Sequence, residues 1–116
     1  MKKALTLALL ATTATLAFAH ARLKSSTPAD GASVSPAPQV LRLEYGEPVE
    51  LAMSSVTLTG PAGAAVATAR VAADPRDDRA LVLALPRLAP GGYQVRWATM
   101  GRDGHHTRGE IRFTVK

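Results

Sequence analysis

The sequence contains no cysteine. That single absence excludes disulfides, thiolate metal sites, iron–sulfur clusters and cysteine nucleophiles together. Aromatic residues make up 4% of the chain, too few for the stacking platforms that read single-stranded nucleic acid. No segment carries sustained 3.6-residue apolar periodicity, so amphipathic helices are not expected. The arginines are spread along the chain rather than gathered into a stripe or patch, and nucleic acid is not an expected partner. At 116 residues the chain has room for one domain at most.

What is present begins with a leader. Lys2 and Lys3 form a short positive segment, and residues 4–11 (ALTLALLA) form an apolar one. Ala17-Phe18-Ala19 then places small residues at the two positions a signal peptidase reads. The apolar stretch is diluted by Thr6, Thr12, Thr13 and Thr15, and it is short beside the ~20 apolar residues of a membrane span. Residues 1–19 are therefore expected to be a cleaved secretory signal. The mature chain would run from His20 to Lys116, with no membrane insertion of its own. Loss of Lys2 and Lys3 lowers the formal charge from +5 to +3.

All nine glycines and all eight prolines fall in residues 20–116, a composition that suits a turn-rich β domain. Period-two alternation recurs there. In residues 40–45, Leu41, Leu43 and Tyr45 oppose Val40, Arg42 and Glu44. Residues 56–59 and, more weakly, 65–71 read as strands about a turn at 60–63. Residues 81–85 form an apolar run ended by Pro86. Tyr93, Val95 and Trp97 form an inward face, and residues 111–115 alternate in the same way. Residues 20–26 add an edge strand with Ala21, Leu23 and Ser25 on one face. The polar stretch 74–79 (DPRDDR) reads as a solvated connection. About seven short antiparallel strands predict an all-β sandwich or small Greek-key barrel.

The three histidines lie at two places: His20, and the pair His105-His106. In an extended segment, Asp103 and His105 share one face and His106 takes the other. Were His20 a free N-terminus, its amine and its Nδ1 would chelate one ion in a six-membered ring. With His105 and Asp103 this makes three nitrogens and one oxygen, a set that suits Cu(II). Zinc prefers a tetrahedral set, often with thiolate. The plainer alternative is a polar hairpin loop about the Asp103-Gly104 turn dipeptide, with solvent-exposed, inert histidines.

The chain resembles the CopC family of periplasmic copper-binding proteins. The matching stretches are 20–31 (HARLKSSTPADG), 43–50 (LEYGEPVE), 88–97 (LAPGGYQVRW) and Asp103-Gly104-His105 followed by 109–115 (GEIRFTV). The resemblance implies an Ig-like barrel or sandwich with one Cu(II) ion per chain at one end. It carries the ligand roles to His20 (amine and Nδ1), Asp103 and His105. It implies a role in copper homeostasis or resistance as a periplasmic carrier or buffer, not an enzyme, with an inner-membrane CopD-type copper transport protein as partner. Glu47 matches an acidic position near the site in relatives, and reads otherwise as a turn residue before Pro48.

Two departures stand out. Some relatives carry a methionine-rich segment for Cu(I), whereas residues 20–116 hold only Met53 and Met100, far apart in sequence. No dedicated Cu(I) site is expected, and Met53 is expected to pack. His106 stands where relatives often have proline and reads as a bystander, flanked by Arg102 and Arg108, either of which could pair with Asp103. Two further classes remain in view. One is an oxidase resembling the copper monooxygenases that use an N-terminal histidine. The other is a metal-free Ig-like interaction module.

Overall fold

The computed structural model describes residues 21–116. Among the described residues, nine strands form two sheets. They are β1 (Leu23–Thr27), β2 (Ser33–Val34), β3 (Val40–Tyr45), β4 (Ser55–Thr59), β5 (Ala65–Val66), β6 (Ala72–Asp74), β7 (Asp77–Ala84), β8 (Gly91–Met100) and β9 (His106–Val115). One sheet has the order β1-β3-β7-β6 and the other β2-β9-β8-β4-β5. Two short 3₁₀ turns, Leu51–Met53 and Pro61–Gly63, are the helical segments among the described residues. The chain is thus an all-β, Ig-like sandwich.

Alternation builds the core. Leu41, Leu43 and Tyr45 of β3 share one core cluster with Tyr93, Val95 and Trp97 of β8 and Ile111, Phe113 and Val115 of β9, joined by Leu58, Leu81 and Leu83 among others. Tyr45 meets Trp97 edge to face at 5.1 Å, and Tyr93 stacks on Phe113 at 5.5 Å, geometries that suit the aromatic quadrupole. Burial pushes the Tyr45 phenol up from its ordinary value, because a phenolate would lose its hydration.

Several expectations are corrected. β2 pairs parallel to β9, through Ser33↔Thr114 and Val34↔Val115, so the five-stranded sheet is mixed. The expected strand at 65–71 shrinks to the two residues of β5. The polar stretch 74–79 is no loose connection. Asp74 pairs with Asp77 across a tight β6–β7 hairpin, and its carboxylates converge on Arg42 of β3. That guanidinium reaches Asp77 at 3.1 Å, Asp74 at 3.4 Å and Glu44 at 3.0 Å. Leu23 is only half-buried and Ser25 is exposed, whereas Ala21 is fully buried. Met53, expected to pack, is 50% exposed, because the 3₁₀ turn carries it out of the sheet.

Candidate metal centre

The longest ladder among the described residues positions the hairpin tip that carries Asp103 and His105. β8 and β9 pair without interruption from Gly91↔Val115 to Met100↔His106. The hairpin tip that joins them is tight. Gly104 donates its N–H to the Gly101 carbonyl at 3.0 Å, and Gly101 donates to the His105 carbonyl at 3.1 Å. Gly104 takes φ +83°, the left-handed conformation that glycine adopts without strain and that ends a three-residue hairpin loop.

Asp103 sits in this turn and folds back on itself. One carboxylate oxygen, Oδ1, accepts the His105 backbone N–H at 3.0 Å. The other, Oδ2, lies 3.0 Å from His105 Nδ1. The two side chains that sequence spacing singled out are therefore together, but for another reason. The segment is a turn rather than an extended strand, and the Asp carboxylate caps its own loop, as Asx residues do.

The spacing has a chemical meaning. At bond lengths of ~2.0 Å, usual for imidazole nitrogen and carboxylate oxygen on a first-row ion, adjacent donors at a right angle stand about 2.8 Å apart. The 3.0 Å separation of Oδ2 and Nδ1 fits a proton between them or an ion bound by both. Among the described residues, no three or more of His, Asp and Glu converge as a metal cage, so any complete donor set needs a contribution from elsewhere.

The start of the described chain lies at this corner. The Thr107 hydroxyl donates to the Ala21 carbonyl at 2.7 Å, and Gly46 donates its N–H to the Arg22 carbonyl at 2.9 Å. Ala21 is buried against Gly101. A Cβ built on Gly101 would meet Ala21 Cβ at 3.5 Å and Asp103 Oδ1 at 2.8 Å. Glycine at 101 thus leaves room both for the Asp103 carboxylate and for the incoming chain. Sequence reasoning missed Gly101 and Thr107, because neither carries a signal until the corner is assembled. His20, the other half of the expected ligand set, lies outside the described residues, as does the leader at 1–19.

The neighbours divide as follows. Arg102 reaches Asp78 at 3.0 Å and Glu50 at 3.8 Å, which turns it to the β7 side of the tip. Glu47 is half-buried in the β3–β4 connection, which is tied to the tip by the bridge Val49↔Gly101. His106 begins β9 and is exposed, while Thr107 is half-buried on the opposite face. No helix of the described residues is long and apolar enough to cross a membrane.

Comparison with known proteins bears on the family and the fold. The CopC domain model matches residues 23–116. Protein YobA of Escherichia coli K12 is 37% identical over 100 residues, covering 85% of this chain and 81% of that protein. Copper resistance protein C of Xanthomonas campestris pv. juglandis is 33% identical, covering 86% and 83%. The crystal structure of CopC from Methylosinus trichosporium OB3b superposes with TM-score 0.78 at 31% identity, over 84% of this chain and 94% of that one. PcoC of Escherichia coli, a methionine-rich copper resistance protein, gives TM-score 0.77 at 32% identity, over 84% and 100%. In fold, in sequence along nearly its whole described length, and in the kind of protein it matches, the chain belongs to the CopC family of copper proteins.

Proposed function

We propose that the mature chain is a periplasmic Cu(II)-binding protein that carries or buffers copper without catalysis. One ion per chain is held by the His20 amine, His20 Nδ1, the His105 imidazole and the Asp103 carboxylate. The observation that carries this reading is the corner itself. Asp103 and His105 stand at the spacing of adjacent ligands, and Thr107 fastens Ala21 beside them. Ala21 and the Asp103 carboxylate both crowd against Gly101, so the described chain starts at the pair. Cleavage of residues 1–19 would free the His20 amine there. Three nitrogens and one oxygen favour a tetragonal Cu(II) site, and a filled equatorial plane discourages oxygen chemistry. Handover requires a membrane partner, for which a CopD-type inner-membrane copper transport protein is the candidate.

The test is electron paramagnetic resonance of the secreted protein with one equivalent of Cu(II). A single tetragonal signal with nitrogen couplings, lost on His105→Ala, is expected. A signal indistinguishable from aqueous copper would overturn the reading.

A further inference from the structure

The sandwich is open along one side. β1 ends the four-stranded sheet, and β2 covers β9 only at Thr114 and Val115. Between β1 and the uncovered part of β9 lies a groove of about 650 Å³, lined by Arg22 and Lys24 from β1 and its approach and by Arg108 and Glu110 from β9. Both ends of it are tied. At one, the Thr107 hydroxyl donates to the Ala21 carbonyl at 2.7 Å. At the other, Arg112 donates its N–H to Asp30 Oδ1 at 2.9 Å, and its carbonyl accepts the Gly31 N–H at 2.6 Å.

Between those ties the β9 backbone is unpaired on its outer side. In an antiparallel ladder, a residue's N–H and C=O point to the same side, and alternate residues share that side. Those of Arg112 point away from β8, so those of Glu110 and Arg108 do too. Neither has a backbone partner there among the described residues. A row of this kind is a template for one more strand.

A second, independent observation lies at the floor of the groove. Trp97 is 7% exposed, and its indole Nε1 is buried with no hydrogen-bond partner among the described residues. A buried donor left without an acceptor is costly. The ring edge that carries this atom lies against Gly109, where a Cβ would stand 3.1 Å from Nε1. Gly109 and Trp97 both line the groove, so an acceptor entering beside Gly109 meets that edge.

The charges select the occupant. Arg22, Lys24 and Arg108 are in no ion pair among the described residues. The carboxylates nearby are engaged: Asp30 holds the Arg112 N–H, and Glu110 holds Gln94 at 2.6 Å and Arg96 at 3.6 Å. Edge-to-edge pairing with a second copy of this chain would set the free cations against their own counterparts, which is unfavourable.

We propose that this groove takes an extended acidic segment of a partner protein, added to β9 as a further strand. Its backbone pairs with Arg108 and Glu110, its carboxylates meet Arg22, Lys24 and Arg108, and one of its oxygens accepts from the Trp97 indole. The docked segment lies next to the hairpin tip that carries His105, and its binding does not depend on copper.

The probe is a short blocked peptide alternating glutamate and valine, titrated into purified protein labelled with ¹⁵N. Trp97 is the one tryptophan of the chain, so its indole N–H gives a single signal. That signal and the Arg108 and Glu110 amide signals are expected to shift together and saturate, and exchange of the two amides with solvent should slow about tenfold or more. A peptide alternating lysine and valine should bind about tenfold or more weakly, as should the glutamate peptide to Lys24→Glu, an exposed change that leaves circular dichroism unaltered. Saturating shifts with both amides exchanging at their original rates would reveal a charged patch without strand pairing, and would overturn the proposal. So would the absence of saturable shifts. The same shifts on concentrating the protein alone would give the edge to a second copy instead.

Discussion

The Thr107 hydroxyl donates a 2.7 Å hydrogen bond to the Ala21 carbonyl, and so ties the final hairpin to the first described residue of the chain. On the proposed reading, the metal site at this corner depends on where the mature chain begins.

The first prediction follows directly. Adding one residue before His20 turns its amine into an amide, which is no longer a basic donor. The fold should be unaffected, since the core described runs from Ala21 onward. An extended protein should show the same circular dichroism and melting temperature without metal. It should bind Cu(II) about tenfold or more weakly, a loss of at least ~1.4 kcal/mol. Equal affinity in a competition titration would remove the amine from the site.

The two adjacent histidines should behave differently toward Cu(II). His105 lies 3.0 Å from the Asp103 carboxylate, whereas His106 is exposed at the start of β9. His105→Ala should weaken Cu(II) binding severely and His106→Ala little, as read by the same titration. Equal losses would dissolve the distinction.

Gly101→Ala probes the carboxylate without removing a ligand. The new methyl would meet Asp103 Oδ1 at 2.8 Å, and the flexible carboxylate can swing away at small cost to the fold. Cu(II) affinity should fall while the metal-free melting temperature changes by only a few degrees. Unchanged affinity would mean that the back-folded Asp103 is not the binding form.

Gly109→Ala should act on the fold instead. A Cβ there would meet the Trp97 ring at 2.7 Å, and that ring is packed against Tyr45. Overpacking of this kind costs roughly 1–3 kcal/mol. Denaturant unfolding followed by Trp97 fluorescence measures it, and an unshifted midpoint would show that the ring has room to move.

Acid should loosen the β6–β7 hairpin. The Arg76 backbone N–H, and then Arg42, hold the Asp74 carboxyl below the usual carboxylate range. A depressed carboxyl contributes stability that is present above its unfolded value, about 3.9, and is lost as pH falls through the lower folded value. Asp74→Asn should therefore flatten the acid limb of the stability curve below about pH 4. An unchanged limb would assign acid sensitivity to other groups.

Much of the fold was legible because a strand with one buried face declares itself by period two. Leu41, Leu43 and Tyr45 were set on the core face by alternation alone, as were Tyr93, Val95 and Trp97, and all six are buried. The polar start of β7 was hidden because Asp77 serves Arg42 rather than the core. β2 was hidden because two residues cannot display a period. Met53 was misread because a 3₁₀ excursion follows no strand alternation. The nearness of Asp103 and His105 was anticipated, but through an extended geometry that the turn replaces. Their place beside Ala21 could not be read, since it depends on a long-range bond from Thr107.

That bond spans 86 positions in the sequence, and its consequence concerns timing. A chain made from its N-terminus delivers Ala21 long before Thr107. Until the final hairpin arrives, the corner has only one of its two sides. Truncation between Met100 and Thr107 would leave a chain that still carries β1 to β8 but lacks the hairpin's Asp103–His105 corner or its tie to Ala21. On the proposed reading, tight copper binding would then mark a chain that has been completed.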